Sequence, residues 1–328
     1  MTDQEKKEVL ARLTARDAAT LSAMGISAAA DADKIKAMSR LISDFNIPLL
    51  QVGKVYNSLI THLQGADLTI NFVAYKFFNS APQGQGYVSQ FEGGNQWGGG
   101  TYITTRDEVE EGMFDYSKNK PVVTPSHTKI STPSIPVQVL QRVMGMGKYA
   151  SPNFEPSVRP KYAALNYAKL RYGSAGQWGK SYIVLKEYVK HNCSFIHTDS
   201  FDEWKDRATI GGQVASFLDM HRLIVSMTPK MLASLYEVAI NNKTYGTDVK
   251  VPGMSDTQYI EAHLHGEIRF DRDVAKLVIN STEVQESLIK TQTLVNNGKP
   301  FKERTPEKIQ KIFRQFANKY GITLVEQN

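Results

Sequence analysis

Apolar residues recur at helical spacing through the first sixty-odd positions. They are Val9, Leu10 and Leu13, then Ile35, Met38, Leu41, Ile42 and Phe45 ahead of Pro48, then a shorter set from Val55 to Leu63 that runs out near Gly65. This spacing predicts helices. The texture changes at Leu68-Thr-Ile-Asn-Phe-Val-Ala, where alternation and β-branched side chains predict a strand. Further strands are predicted over 181–186, 193–199 and 257–265, with a short candidate at 87–91. Helices are predicted over 105–114, 205–242, 272–296 and 306–319, the last opened by Thr305-Pro306, a cap and first-turn pair. Strands dispersed among helices, without regular βαβ alternation, predict an α+β fold.

Two stretches stand apart from this pattern. Residues 84–100 hold seven glycines, which can set bare backbone N–H groups against a ligand. The Walker lysine and the dinucleotide-fingerprint spacing are absent from it. Residues 121–160 hold seven prolines and read as one long loop, a feature that in compact domains often serves function.

Composition narrows the class. Hydrophobic residues make up 41% of the 328 positions and aromatics 10%, enough to bury a core and to exclude disorder. The net charge of +6 comes from 39 basic and 33 acidic residues, a mild excess. The basic run from Lys299 to Lys319 is interrupted by Glu303 and Glu307, so it reads as a solvated helix face rather than a nucleic-acid surface. The single cysteine, Cys193, excludes an internal disulfide and a multi-cysteine metal site. No apolar run is long enough to span a bilayer and the first residues do not resemble a signal peptide, so a soluble protein is expected.

Chemistry concentrates on two strand candidates. In 257–265 a period of two puts Tyr259, Glu261, His263 and His265 on one side and Ile260, Ala262 and Leu264 on the other. In 193–199 it groups His197 and Asp199 with Cys193 and Phe195. A single polar strand face is more often just a solvated one, but two such faces, each with an acid and a histidine, shift the reading toward a shared cleft. Metal chemistry is one reading, with Glu261, His263, His265, His197 and Asp199 supplying zinc or iron ligands in a hydrolase or oxygenase. A nucleophilic Cys193 beside His191 or His197 is another, set against the commoner fate of a strand cysteine as an inert core residue.

Several segments, in order along the chain, resemble the CteC-like family of bacterial effectors, mono-ADP-ribosyltransferases that modify a threonine of ubiquitin. They are Ile70-Asn71-Phe72, Ser89-Gln90-Phe91-Glu92 with Gly94, Arg106-Asp107 to Phe114, and Arg159-Pro160-Lys161-Tyr162-x-Ala164-Leu165-Asn166. They continue as Trp178-Gly179-Lys180-Ser181-Tyr182-x-x-Leu185, Thr198-Asp199-Ser200 and Tyr259-x-Glu261-Ala262-x-x-His265-Gly266. The set runs from about residue 68 to residue 270 and leaves out the helical N-terminus. Val88 and Val73 depart from the family's pattern, which has an arginine and often a histidine there.

The resemblance implies an ADP-ribosyltransferase-like split antiparallel sheet that binds NAD between two small sheets. With the spacing of apolar residues marking 1–65 as a helical N-terminal region and 205–242 as a helical insertion, it implies 66–328 as the transferase domain. Matched residue by residue, it implies Glu261 and Asp199 as the catalytic acids. Arg159 would hold the pyrophosphate of NAD, Tyr162 would stack on nicotinamide, and Ser181 would orient the ribose or the acids. Gln90 and Asn95 would be further cofactor contacts, and His265 would touch the cofactor or buttress Glu261. The implied partner is ubiquitin, recognised through 205–242 or 121–160, in a host cytosol reached by secretion. No metal, nucleic acid or membrane is expected. The non-enzymatic alternative is a ubiquitin-binding module whose NAD site has decayed.

Overall fold

A computed structural model of the chain describes residues 30–78, 84–88, 109–110, 113, 160–201, 213–246, 248–286 and 305–328. Helices α1 (Ala30–Phe45) and α2 (Leu49–Gly65) come first, then β1 (Asp67–Phe72) and α3 (Ala74–Phe77). The next strands are β2 (Lys161–Asn166), β3 (Ser181–Leu185), β4 (Cys193–Ile196) and β5 (Ala215–Ser216). Helices α4 (His221–Ser226) and α5 (Pro229–Ala239) precede β6 (Ile260–Leu264), α6 (Phe270–Asp273) and β7 (Val274–Asn280). The chain closes with α7 (Pro306–Tyr320) and β8 (Thr323–Gln327).

The class is α+β. The described strands form one continuous sheet in the order β5-β4-β6-β2-β1-β3-β7-β8. Every neighbouring pair is antiparallel except β7–β8, which α7 joins as the crossover that a parallel pair requires. Neighbours are hydrogen-bonded from one edge to the other, so the described strands are not divided into two small sheets.

One face of this sheet carries the main core. Phe195, Ala262, Leu264, Leu165, Ile183 and Leu277 all belong to it, as do Leu41 of α1 and Leu59 and Leu63 of α2. The N-terminal helices therefore share the core of the sheet. α1 packs on α4, and the Arg40 guanidinium donates to the carbonyls of Ile224 (3.0 Å) and Val225 (2.8 Å) near the end of α4. Such donors satisfy carbonyls that a helix end leaves without intrahelical partners. α7 starts as expected: the Thr305 hydroxyl accepts the Lys308 N–H at 3.4 Å, with Pro306 in the first turn. Gly321 ends it in the left-handed region at φ 63°. Its Phe313, Phe316 and Tyr320 bury against Phe78 and Phe270, each such side chain contributing roughly 1.5–3 kcal/mol by leaving water.

Two expectations change, and one strand has no counterpart among them. Residues 274–280, expected to be helical, are β7. Val274, Val278 and Ile279 are β-branched and the strand is buried on both faces over much of its length, so its apolar run shows no alternation. Residues 205–242 are not one helical stretch. Their described part holds β5, then α4, then α5, which restarts at Pro229 with the Thr228 hydroxyl accepting the Met231 N–H. β2, a central strand, begins just where the proline-rich stretch ends; its Ala163 and Ala164 give little strand signal. The described helical positions Val109, Glu110 and Met113 fall inside the helix expected at 105–114, whereas 1–29, 89–108 and 121–159 lie outside the described residues.

Candidate functional site

β6 runs between β4 and β2, and its register defines the site. His263 stands opposite Ser194 and Tyr162, and Glu261 stands opposite Ile196 and Ala164. Paired residues share a face. Tyr162, Ser194, Glu261 and His263 therefore occupy one side of the sheet, while Ala262 and Leu264 enter the main core on the other. Tyr259, just before β6, keeps the same alternation and packs with Ala164 and Ala175 in a small separate cluster.

Glu261 is 3% exposed. Its Oε1 accepts the Ser200 hydroxyl, the Ser200 N–H at 3.3 Å and His263 Nε2 at 2.8 Å. Its Oε2 accepts the Tyr259 hydroxyl at 3.3 Å. The same hydroxyl lies 3.2 Å from Oδ2 of Asp199, itself 6% exposed. One phenolic proton thus serves two buried carboxylates, which lie within two hydrogen-bond lengths of each other.

Asp199 does not arrive there by strand alternation. Continued past Ile196, the period of two would send it to the side of Phe195, into the core. β4 instead ends at Ile196 and the chain bends. The carbonyl of Thr257 accepts the Asp199 N–H (2.9 Å) and the Thr198 hydroxyl (3.2 Å), tying the bend to the approach of β6. Asp199 Oδ1 accepts the Phe201 N–H at 2.9 Å, which fixes the carboxylate and directs Oδ2 at Tyr259.

The other expected residues divide. Tyr162 is on the site face; its hydroxyl donates to the buried Glu110 at 2.5 Å and its ring meets that of His263 edge-on at 5.4 Å. His265 adjoins the site through Ser194: its Nε2 is 2.8 Å from Ser194 Oγ, which is 3.4 Å from His263 Nδ1. Ser181 is elsewhere. It pairs with Phe72 on the core face of β3, three strands from β6, and donates to Glu283 at 2.7 Å. Glu283 also accepts the backbone N–H groups of Ala74 (3.1 Å) and Lys180 (2.5 Å), so this node secures local backbone. Arg159, Gln90 and Asn95 lie outside the described residues.

The grouping of His197 with Asp199 does not hold. His197 is buried, and burial, with a smaller contribution from the Arg40 charge, pushes its pKa down to about 4. Its Nδ1 has no hydrogen-bond partner among the described residues. Cys193 points into the core, with Sγ 3.3 Å from the Val189 carbonyl. Among the described residues no three His, Cys, Asp or Glu side chains converge as metal ligands. The strand pattern did not single out Glu110, Ser194 and Ser200, and it placed Tyr259 on the right face without a task. Only the spacing of Tyr259 from Glu261 could have hinted at the bridge.

No curated protein matches the chain. A family model described as "Protein of unknown function (DUF3626)" matches residues 83–299, which take in β2 to β7 and the whole site just described. That match covers more than half of the sequence, and the chain belongs to the DUF3626 family.

Proposed function

We propose that this protein is a mono-ADP-ribosyltransferase that consumes NAD and modifies a protein hydroxyl, a threonine of ubiquitin, so that host ubiquitination is blocked. The observation that carries this reading is the pair Asp199 and Glu261, both buried and both bonded to the Tyr259 hydroxyl. Resemblance of the ordered motifs to the CteC-like effectors supplies the substrate, the ADP-ribosyltransferase-like relation of the sheet and the secreted setting.

The chemistry needs two acids. The glycosidic bond to nicotinamide breaks, its electron pair leaves with the ring nitrogen, and the ribose carbon takes on oxocarbenium character. Glu261 on β6 holds the ribose hydroxyls and stabilises that charge. Asp199 accepts the proton of the attacking hydroxyl as its oxygen bonds to the anomeric carbon. Tyr162 and, beyond the described residues, Arg159, Gln90 and Asn95 are the proposed contacts to the rest of NAD.

The test is to incubate the folded protein with NAD and ubiquitin and to weigh the product. Ubiquitin heavier by one ADP-ribose, with the mass on a threonine, is the expected result. Unmodified ubiquitin in the presence of folded protein removes the substrate assignment.

A further inference from the structure

Trp178 is 58% exposed, yet the turn that carries it is firmly held. It ends the single helical turn Gly176–Trp178, and its N–H donates to the Ala175 carbonyl at 2.9 Å. The Asn71 amide donates to the Gly179 carbonyl at 2.8 Å and the Gln177 amide to the Asp256 carbonyl at 2.7 Å. Gly179, at φ 147°, presses on the end of β1, where a Cβ would collide with the Phe72 backbone. A large aromatic that is held rigid and left in water has the form of a recognition anchor, because docking costs it little ordering. Val249, 36% exposed, fits against Gly176 of the same turn, where a Cβ would stand 2.9 Å from its Cγ1. Tyr172 adjoins that glycine too, with Lys180 Nζ 5.6 Å and the Arg171 guanidinium 5.7 Å from its ring centroid. Lys250 is paired with Asp256 at 2.6 Å, whereas among the described residues no carboxylate pairs with Lys180.

This surface adjoins the acid pair. Thr69 pairs with Ala164 and Ala164 with Glu261, so Asn71, two residues on from Thr69, is on the site side of the sheet. Its side chain holds the segment from Tyr172 to Gly179 over that side. Ala175 is clustered with Tyr259, and Asp256, whose carbonyl receives Gln177, directly precedes the Thr257 whose carbonyl ties Asp199. A protein hydroxyl that reaches Asp199 arrives on this side of the sheet with the acceptor's own surface around it. We propose that Trp178, Val249 and Lys180 form the docking surface for the acceptor protein, which sets an apolar side chain on Trp178 and a carboxylate beside Lys180. The cations about Tyr172 favour the carboxylate, and the pinned turn fixes how far the docked surface stands from the acids. The surface is separate from both stretches that the sequence offered for this task, 121–160 and 205–242. Transfer to the docked protein rests on the transferase reading; docking itself does not.

The experiment uses the full chain, with ubiquitin as the probe. Titration calorimetry gives the dissociation constant, product mass gives transfer, and nicotinamide release without ubiquitin gives NAD cleavage alone. Trp178→Ala is expected to weaken binding and to lower kcat/KM for ubiquitin by about 10- to 100-fold, the loss that follows truncation of an aromatic anchor. Nicotinamide release without ubiquitin is expected to stay within about twofold of the wild type, since the anchor touches only the acceptor. Lys180→Glu is a second, independent variant, expected to weaken binding about fivefold at low salt and less at high salt. Wild-type affinity in Trp178→Ala overturns the proposal, as do equal losses of transfer and of acceptor-free release, or a wild-type protein that binds no ubiquitin. Binding that depends on Trp178 in a protein that releases no nicotinamide removes the transferase reading and leaves the docking surface standing. Transfer to ubiquitin that Trp178→Ala does not alter removes the docking surface and leaves the transferase reading standing.

Discussion

Asp199 and Glu261 meet at a single hydroxyl: Oδ2 of the first and Oε2 of the second lie 3.2 and 3.3 Å from the Tyr259 oxygen. Two buried carboxylates this close raise each other's proton affinity unless donors offset the repulsion. Here the donors are built in, from Ser200 and His263 on Glu261 and from the Phe201 N–H on Asp199, with Tyr259 between them. The arrangement keeps both acids available as acceptors while holding them at one spacing.

Replacing Tyr259 with Phe removes the shared donor and little else. Loss of one buried hydrogen bond is expected to cost about 1 kcal/mol of stability. Nicotinamide release is expected to fall by about 10- to 100-fold, since one acid then takes up a proton to relieve the repulsion. Thermal melting and a release assay on the same preparation check both. A variant as active as the wild type contradicts the role of the bridge.

Burial of neutral His197 makes stability depend on pH. Its folded-state pKa, about 4, is below the ordinary 6.5, so the unfolded chain binds more protons between those values. The contribution is complete above pH 6.5 and is lost as pH falls toward 4. Between pH 7 and pH 5 this site alone is expected to remove about 2 kcal/mol. His197→Phe is expected to reduce the acid sensitivity by about that amount in urea unfolding at the two pH values. Some sensitivity remains, because burial also lowers His62, His191 and His221.

Asn71 fastens the segment that leans on Tyr259. Its amide donates to the carbonyls of Tyr172 (2.6 Å) and Gly179 (2.8 Å), and its carbonyl oxygen accepts the Ala175 N–H at 3.3 Å. Ala175 shares a small buried cluster with Tyr259 and Ala164. Asn71→Ala leaves these buried groups short of partners and is expected to cost about 2–3 kcal/mol, with a loss of activity transmitted through Tyr259. Gly173→Ala is expected to be destabilising as well. Gly173 has φ 73°, and an added Cβ would stand 2.8 Å from Asn71 Oδ1. Urea unfolding of both variants measures the cost.

Chelation is expected to change nothing. His263 Nε2 is bonded to Glu261 and His265 Nε2 to Ser194, and the described side chains offer no convergent ligand set. Dialysis against EDTA should leave nicotinamide release and the melting temperature unaltered. Loss of activity that zinc or iron restores contradicts this.

Much of the site was legible because a strand's period of two is a rigid rule. It put Tyr259, Glu261 and His263 on one face and Ile260, Ala262 and Leu264 on the other, as the register of β6 has them. The same rule misled at β4, where the bend after Ile196 releases Asp199 from the core face and leaves His197 buried. The cause is tertiary: the Thr257 carbonyl that ties the bend lies far along the chain. β7 failed for a related reason, since a strand buried on both sides resembles an apolar helix in sequence. Ser181 was placed by motif alone, and no local pattern says which face of which strand a motif occupies.

The most direct measurement compares nicotinamide release from NAD by the wild type, Asp199→Asn and Glu261→Gln, each shown to be folded by its melting curve. Both substitutions keep shape and remove charge. Release by the wild type and a loss of about 10²-fold or more in each variant is the predicted result, the range in which a general base or a charge-stabilising acid acts. Release by both variants at the wild-type rate contradicts the assignment of the acid pair.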